Sequence, residues 1–250
     1  MMRKRIFAAN WKMHHDPMAA TSFALKFQEV SSPNPARDLW FFPPAVSLAA
    51  TAEAFERRPD ISVGAQNVYW EAKGAFTGET SPVMIAGCGG RGALVGHSER
   101  RHVFGETDVE TAKKVKALIA QRLVPMLCVG EKLDQREAGH TNEVVRRQLR
   151  AVLGEITQTE ASELLIAYEP VWAIGTGKVA RPQDAAEVHR VIRQVLHEFR
   201  VPGRIPVLYG GSVNLANVAG LLAEDEIDGV LVGGASLDAE GWAAIVAAGS

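Results

Sequence analysis

Short apolar runs rich in β-branched and aromatic residues recur along the whole chain, separated by stretches with helical periodicity. There are eight of them: Arg5–Ala9, Leu39–Phe42, Ile61–Ala65, Ala93–Gly96, Val124–Val129, Leu164–Tyr168, Ile205–Tyr209 and Gly229–Val232. Each is brief and few alternate strictly, the pattern of strands buried on both faces of a parallel sheet. Between them, Val145, Leu149, Val152 and Ile156 step by 4, 3 and 4, as do Val188, Ile192, Val195 and Phe199. Pro182 sits where the second of these helices should begin. Eight strands alternating with helices leave two α/β folds open, a closed (β/α)8 barrel or an open doubly wound sheet.

The polar residues decide between them. Asn10 and Lys12, His97 and Glu99, Glu169, and the pairs Gly210-Gly211 and Gly233-Gly234 all fall just past the C-terminal ends of the runs. An open sheet gathers a site at one switch point between neighbouring strands. These residues follow the first, fourth, sixth, seventh and eighth runs, and only barrel closure unites those mouths. No linker rich in proline, glycine or serine divides the chain, so residues 1–250 are expected to form one (β/α)8 barrel domain.

Composition narrows the partners. A chain of 250 residues that is 47% hydrophobic and 22% charged has the make-up of a globular protein, not a disordered one. Twenty-seven basic against 29 acidic side chains, a net charge of -2, give no electrostatic reason for nucleic acid or an anionic membrane. No run approaches the roughly 20 apolar residues of a membrane-spanning helix, and no targeting segment is visible. Cys88 and Cys128 are too few for a disulfide framework or a zinc knuckle. A cytoplasmic location with reduced thiols is expected.

Four motifs are set aside. Gly87-Cys88-Gly89-Gly90-Arg91-Gly92 has dinucleotide-turn spacing but precedes a strand instead of following one. Gly175-Thr176-Gly177-Lys178 approximates a P-loop, yet Trp172 replaces the first glycine and Val179 the magnesium-binding hydroxyl. Gly96-His97-Ser98-Glu99-Arg100 lacks the last glycine of a nucleophile elbow. His14 and His15 are adjacent, with no metal-ligand spacing after them.

The remaining residues converge on one chemistry. Glu169 ends the apolar run Leu165-Ile166-Ala167-Tyr168, where partial desolvation can raise a carboxylate's basicity. Residues 170–180 then place Val171, Trp172, Ala173 and Ile174 in a connection bounded by Gly175 and Gly177. Such an apolar loop suits either a closing lid or permanent packing on a neighbouring subunit. His97 and Lys12 would face the same cavity as Glu169, with lysine offering charge to a developing oxyanion. The glycine pairs let backbone N–H groups approach an anion, and phosphate sites on barrels recur at those two loops. Their position implies a small phosphate ester as substrate. The set suits proton abstraction beside a carbonyl: Glu169 as base, His97, Asn10 and Lys12 on the enediolate oxygens, and no metal or organic cofactor required.

At these residues the chain closely resembles the triosephosphate isomerase family. The blocks that carry the resemblance run the whole length: Asn10–Met13, Gly64–Asn67, Gly74–Glu79, Gly96–Arg101, Cys128–Glu131, Ala167–Gly177, Tyr209–Val213 and Leu231–Ser236. The resemblance implies interconversion of dihydroxyacetone phosphate and D-glyceraldehyde 3-phosphate in glycolysis and gluconeogenesis, by a cytoplasmic homodimer. It implies Glu169 as base, His97 as electrophile, Lys12 and Asn10 on the substrate, and Glu99 and Cys128 as support. Gly175, Ser212, Gly233 and Gly234 would bind phosphate under a lid of residues 170–180. The exposed loop 74–79, with Phe76 at its centre, would enter a neighbouring subunit near Asn10 and Lys12. A neutral histidine and a water-excluding lid are features for which this family is itself the reference case. His14 and Val179 depart from the asparagine and threonine usual in the family. Another phosphosugar isomerase on the same fold should lack the lid and the His97 block, and a silent phosphate sensor would have no use for Glu169 and His97 together.

Overall fold

In the computed structural model, which describes residues 4–174 and 180–249, the eight strands close into a parallel barrel in sequence order, β1-β2-β3-β4-β5-β6-β7-β8. They are β1 Arg5–Asn10, β2 Arg37–Phe42, β3 Ile61–Ala65, β4 Gly92–Val95, β5 Val124–Val129, β6 Leu165–Tyr168, β7 Val207–Tyr209 and β8 Gly229–Val232. The ring is completed by β1 against β8, with Ile6 opposite Gly229 and Ala9 opposite Val232. The main helices on the outside are α1 Pro17–Val30, α2 Leu48–Ala54, α3 Pro82–Gly87, α4 Ser98–His102 and α5 Asp108–Ala120. They continue with α6 Leu133–Glu137, α7 Thr141–Leu153, α8 Gln158–Ala161, α9 Pro182–Glu198, α10 Val218–Leu222 and α11 Ala239–Ala248.

The strand period of two explains why few runs alternate between apolar and polar. Ile6, Ala8, Trp40, Phe42, Leu94, Met126, Cys128, Ala167, Leu208 and Leu231 fill the barrel interior. Their neighbours Phe7, Ala9, Leu39, Phe41, Val95, Leu127, Ile166 and Tyr168 point outward into a second core beneath the helices. Both faces are dry, so both are apolar. Helix α7 buries Val145, Leu149 and Val152 as its period predicts. Ile156 lies beyond that helix, whose C-cap is Gly154, and Phe199 is the C-cap of α9. Pro182 is the first residue of α9, where its missing N–H leaves no bond unmade.

Several strand ends differ from expectation by one or two residues, and two of the differences have a clear backbone cause. The fourth strand stops at Val95, because Gly96 turns to φ +69° and leaves the sheet. The seventh begins at Val207 instead of Ile205, since Pro206 has no N–H to give a ladder. The glycine pairs are not followed directly by long helices: a 3-10 turn spans Gly234–Ser236, and α10 starts only at Val218. Among the described residues no helix is long and apolar enough to cross a membrane.

Candidate active site

Strand parity carries the interior side chains up to the barrel mouth. Continuing each inward series by two gives Asn10 after Ala8, Gly130 after Cys128, Glu169 after Ala167, Gly210 after Leu208 and Gly233 after Leu231. Carboxylate, amide and glycines therefore form one layer, although they come from five strands. His97 breaks the parity, since Leu94 points inward and position 97 should point out. The left-handed Gly96 resets the chain direction and brings the imidazole over the mouth. Its N–H is held by the buried Glu106 carboxylate at 2.9 Å.

Asn10, Lys12, His97, Glu169, Ser212, Gly233 and Gly234 all line one cavity of about 300 Å³. His97 Nε2 lies 2.9 Å from Glu169 Oε1 and 3.2 Å from Asn10 Nδ2. The other carboxylate oxygen, Oε2, accepts the Ser98 backbone N–H at 2.8 Å. His97 caps α4, and its Nδ1 accepts the Glu99 N–H at 3.3 Å. With Nδ1 an acceptor, a neutral ring carries its proton on Nε2, the nitrogen that faces the cavity. Burial works against a charged His97, but the Glu169 carboxylate, with Glu99 behind it, more than offsets burial and holds its pKa above the ordinary value.

Lys12 reaches the cavity from a left-handed backbone, φ +51°, that a residue with a side chain adopts only under constraint. Its N–H donates to Asn10 Oδ1 at 3.0 Å, its carbonyl accepts from Gln66 Nε2 at 2.7 Å, and Nζ donates to Glu99 Oε1 at 2.7 Å. Glu99 thus orients the ammonium without itself lining the cavity.

Cys128 lies below the mouth in the barrel interior, fully buried. Burial first, and the Glu169 charge second, push its thiol well up, so it stays protonated beside the carboxylate. Ser212, expected on the anion, lines the cavity while its hydroxyl donates to the Ala173 carbonyl at 2.7 Å. A Cβ on Gly233 would stand 3.1 Å from Lys12 Cε, so the ammonium stem runs directly against that loop. Gly175 lies outside the described residues, as does most of the lid expected over 170–180. Loop 74–79 stands away from the cavity, with Phe76 partly exposed and its ring 4.5 Å from that of Tyr69.

Three further residues shape the site. Ser98 acts through its backbone N–H, and Gln66 through a carbonyl it supports, neither of which a side-chain motif reveals. Glu131 is fully buried and accepts Trp172 Nε1 at 2.9 Å and Tyr168 Oη at 3.1 Å. It pins the segment after Glu169 to β5. Its only sequence signal is its place in the Cys128–Glu131 block.

Chemically, the cavity offers one carboxylate aimed at one imidazole N–H, an ammonium beside them, and a wall of glycine backbone. A family model described as triosephosphate isomerase matches residues 5–249. The triosephosphate isomerase of Moorella thermoacetica is 48% identical over 247 residues, covering 98% of each chain. That of Caldanaerobacter subterraneus subsp. tengcongensis is 46% identical over 251 residues, 98% of this chain and 99% of the relative. That of Dictyoglomus turgidum is 42% identical over 248 residues, with the same coverage.

Proposed function

Since the chain belongs to the triosephosphate isomerase family, we propose that Glu169 and His97 carry the interconversion of dihydroxyacetone phosphate and D-glyceraldehyde 3-phosphate, with Lys12 and Asn10 on the substrate. The observation that carries this reading is the 2.9 Å approach of His97 Nε2 to Glu169 Oε1 across the cavity. A substrate carbonyl entering between them takes the Nε2–H for its oxygen and frees Oε1 to act as a base. Glu169 then removes a proton from the carbon beside the carbonyl, and the electron pair moves onto that oxygen. With the substrate between the pair, the imidazole loses the close carboxylate contact that raised its pKa, while burial still favours the uncharged ring. A neutral imidazole and the Lys12 ammonium therefore stabilise the enediolate. The hydroxyl proton on the carbon that lost its hydrogen passes to the former carbonyl oxygen. Glu169 returns its proton to the former carbonyl carbon, leaving the new carbonyl where the hydroxyl had been. Triosephosphate isomerase is itself the reference case for a glutamate base paired with a neutral histidine.

The phosphate is assigned to the backbone of Gly233 and Gly234, with Ser212 and Gly175 completing the set. Glu99 orients Lys12, and Cys128 supports the floor beneath Glu169. The residues form one barrel domain, with 170–180 as its lid. Assembly is a homodimer through loop 74–79, supported by exposed Phe76, Met13 and Met84. The location is the cytoplasm, and the process glycolysis and gluconeogenesis.

Turnover of dihydroxyacetone phosphate without added metal or nucleotide tests the reading. Glu169→Gln should cut turnover by roughly 10²–10⁴-fold while leaving phosphate-ligand affinity broadly intact. A variant within about tenfold of the parent would move the base elsewhere. Light scattering that shows a fully active monomer would remove the dimer.

A further inference from the structure

The loop of residues 11–16 carries two non-glycine residues in the left-handed region, Lys12 at φ +51° and His15 at φ +65°. Each costs on the order of 1 kcal/mol and persists only where the surroundings over-determine it. At Lys12 the constraint comes from Asn10 and Gln66, as described above. At His15 the backbone carbonyl accepts Ser47 Oγ at 2.7 Å, but the side chain does more. Its ring centroid lies 4.8 Å from that of Trp11, at 76°, and 5.5 Å from that of Phe23. Nε2 is buried with no hydrogen-bond partner. The ring also meets the backbone of Leu237, the residue after the 3-10 turn that begins at Gly234. One imidazole therefore touches the loop that carries Lys12, helix α1, and the turn expected to hold phosphate.

We propose that His15 is a positioning residue for Lys12: its neutral imidazole wedges loop 11–16 against Trp11, Phe23 and the turn after β8, and its protonation releases that wedge. The proposal rests on reading Lys12 as a substrate-binding residue. A neutral ring fits a largely aromatic pocket, whereas an imidazolium would bury a charged N–H at Nε2 with no acceptor. The groups around the ring offer little compensation. Phe23 of α1 and Ser47 do not titrate in this range, Leu237 offers a backbone hydrogen bond that only partly offsets burial, and the titratable neighbours are His14 and Asp16 of the same loop. Burial, with a smaller opposing push from Leu237, sets the imidazole below the ordinary histidine value. The wedge is therefore intact at neutral pH and lost on the acid side. Gly233 lies against the Lys12 stem, so a shift of this loop also moves the ammonium relative to the anion wall.

The test measures steady-state kinetics and inorganic phosphate affinity of the full chain between about pH 5 and about pH 8, across the histidine range. His15→Asn tolerates the left-handed backbone but cannot wedge. It should raise KM and the phosphate Kd roughly threefold to tenfold at neutral pH, with kcat changed less than about twofold, the signature of lost binding. His15→Phe keeps a ring without a titrating nitrogen. It should return both constants toward the parent and remove part of the acid-side loss of phosphate affinity. The same phosphate affinity and pH profile in parent and both variants would overturn the proposal. The parent alone gives a second readout: the Lys12 and Gly233 amide resonances should shift with the His15 titration midpoint. Amides that stay still while His15 titrates would also overturn it. If the parent does not turn over triose phosphate, the functional reading fails, while phosphate affinity and the amide shifts still decide the wedge.

Discussion

His97 Nε2 and Glu169 Oε1 face each other at 2.9 Å, each held from behind by a backbone N–H of the first turn of α4. Ser98 N–H grips the carboxylate and Glu99 N–H grips the imidazole, so one short helix sets the geometry of the pair. Burial of the imidazole works against its charged form, and the facing carboxylate, with a smaller contribution from Glu99, keeps its pKa above the ordinary value. Glu169→Gln leaves the burial and removes the charge, so the His97 pKa should fall. NMR titration of the His97 ring in parent and variant checks the direction. The same linkage fixes the sign for stability. A raised folded-state pKa contributes stability that is fully present below the unfolded value and is lost as pH rises through the folded one. Glu169→Gln should flatten that loss, and an unchanged His97 titration would show that the pair is not coupled.

Gly210 stands on the other side of the carboxylate. A Cβ there would lie 2.9 Å from Glu169 Cγ and 3.2 Å from the Tyr168 carbonyl. The strand backbone cannot yield, so the glutamate stem must move. Misplacement of a reacting group by about 1 Å costs up to roughly 10²-fold in rate. Gly210→Ala should therefore lower kcat by about tenfold to a hundredfold. Thermal unfolding should shift little, because the cavity beyond Glu169 gives the displaced side chain room. Equal activity in a folded Gly210→Ala protein would mean that the carboxylate position is not critical.

Glu131 should matter to stability more than to chemistry. Its carboxylate is the acceptor for Tyr168 Oη and Trp172 Nε1, with Arg136 Nη1 at 3.5 Å. Burial and the neighbouring Glu131 charge push the Tyr168 hydroxyl well up, keeping it a donor. Glu131→Ala strips the acceptor from two aromatic donors, at roughly 1–3 kcal/mol for a buried group left unsatisfied. Denaturant unfolding should show a loss at least that large, and Glu131→Gln, which keeps an acceptor, should lose less. No difference between the two variants would argue against this bonding.

At the opposite end of the barrel, Arg58 grips Asp60 through Nε at 2.9 Å and Nη2 at 2.9 Å, with both side chains nearly buried. Burial alone would raise the Asp60 carboxyl, but the Arg58 hydrogen bonds and charge outweigh it and hold the pKa below its ordinary value. A depressed folded-state pKa contributes stability above the unfolded value, and that contribution is lost as pH falls through the folded one. Asp60→Asn should cost roughly 3–5 kcal/mol at neutral pH, because it leaves the nearly buried Arg58 charge without its counter-ion, although Nη1 keeps its bond to the Ser31 carbonyl. Its stability curve should also fall less steeply in acid. Parallel acid titrations of parent and variant would refute the coupling.

The barrel is legible in the chain because its causes are local. Strand pleat and helix pitch act over a few residues, so the eight apolar runs and the stepping of Val145, Leu149 and Val152 specify element type before any contact forms. Glycine and proline set the strand ends through their own backbone limits, and even there Gly96 and Pro206 moved boundaries. The rim residues Asn10, Lys12, His97 and Glu169 were legible because strand ends expose polar side chains that a buried run cannot hold. What the tertiary structure decided is how those residues meet. Parity alone would turn His97 away from the cavity, and the left-handed Gly96 turns it back. The Ser98 N–H on Glu169, the Gln66 amide under Lys12 and the Glu131 anchor join residues from different strands. A backbone donor or a supporting carbonyl has no residue type to read, and which strand end faces which is set only when β8 closes onto β1.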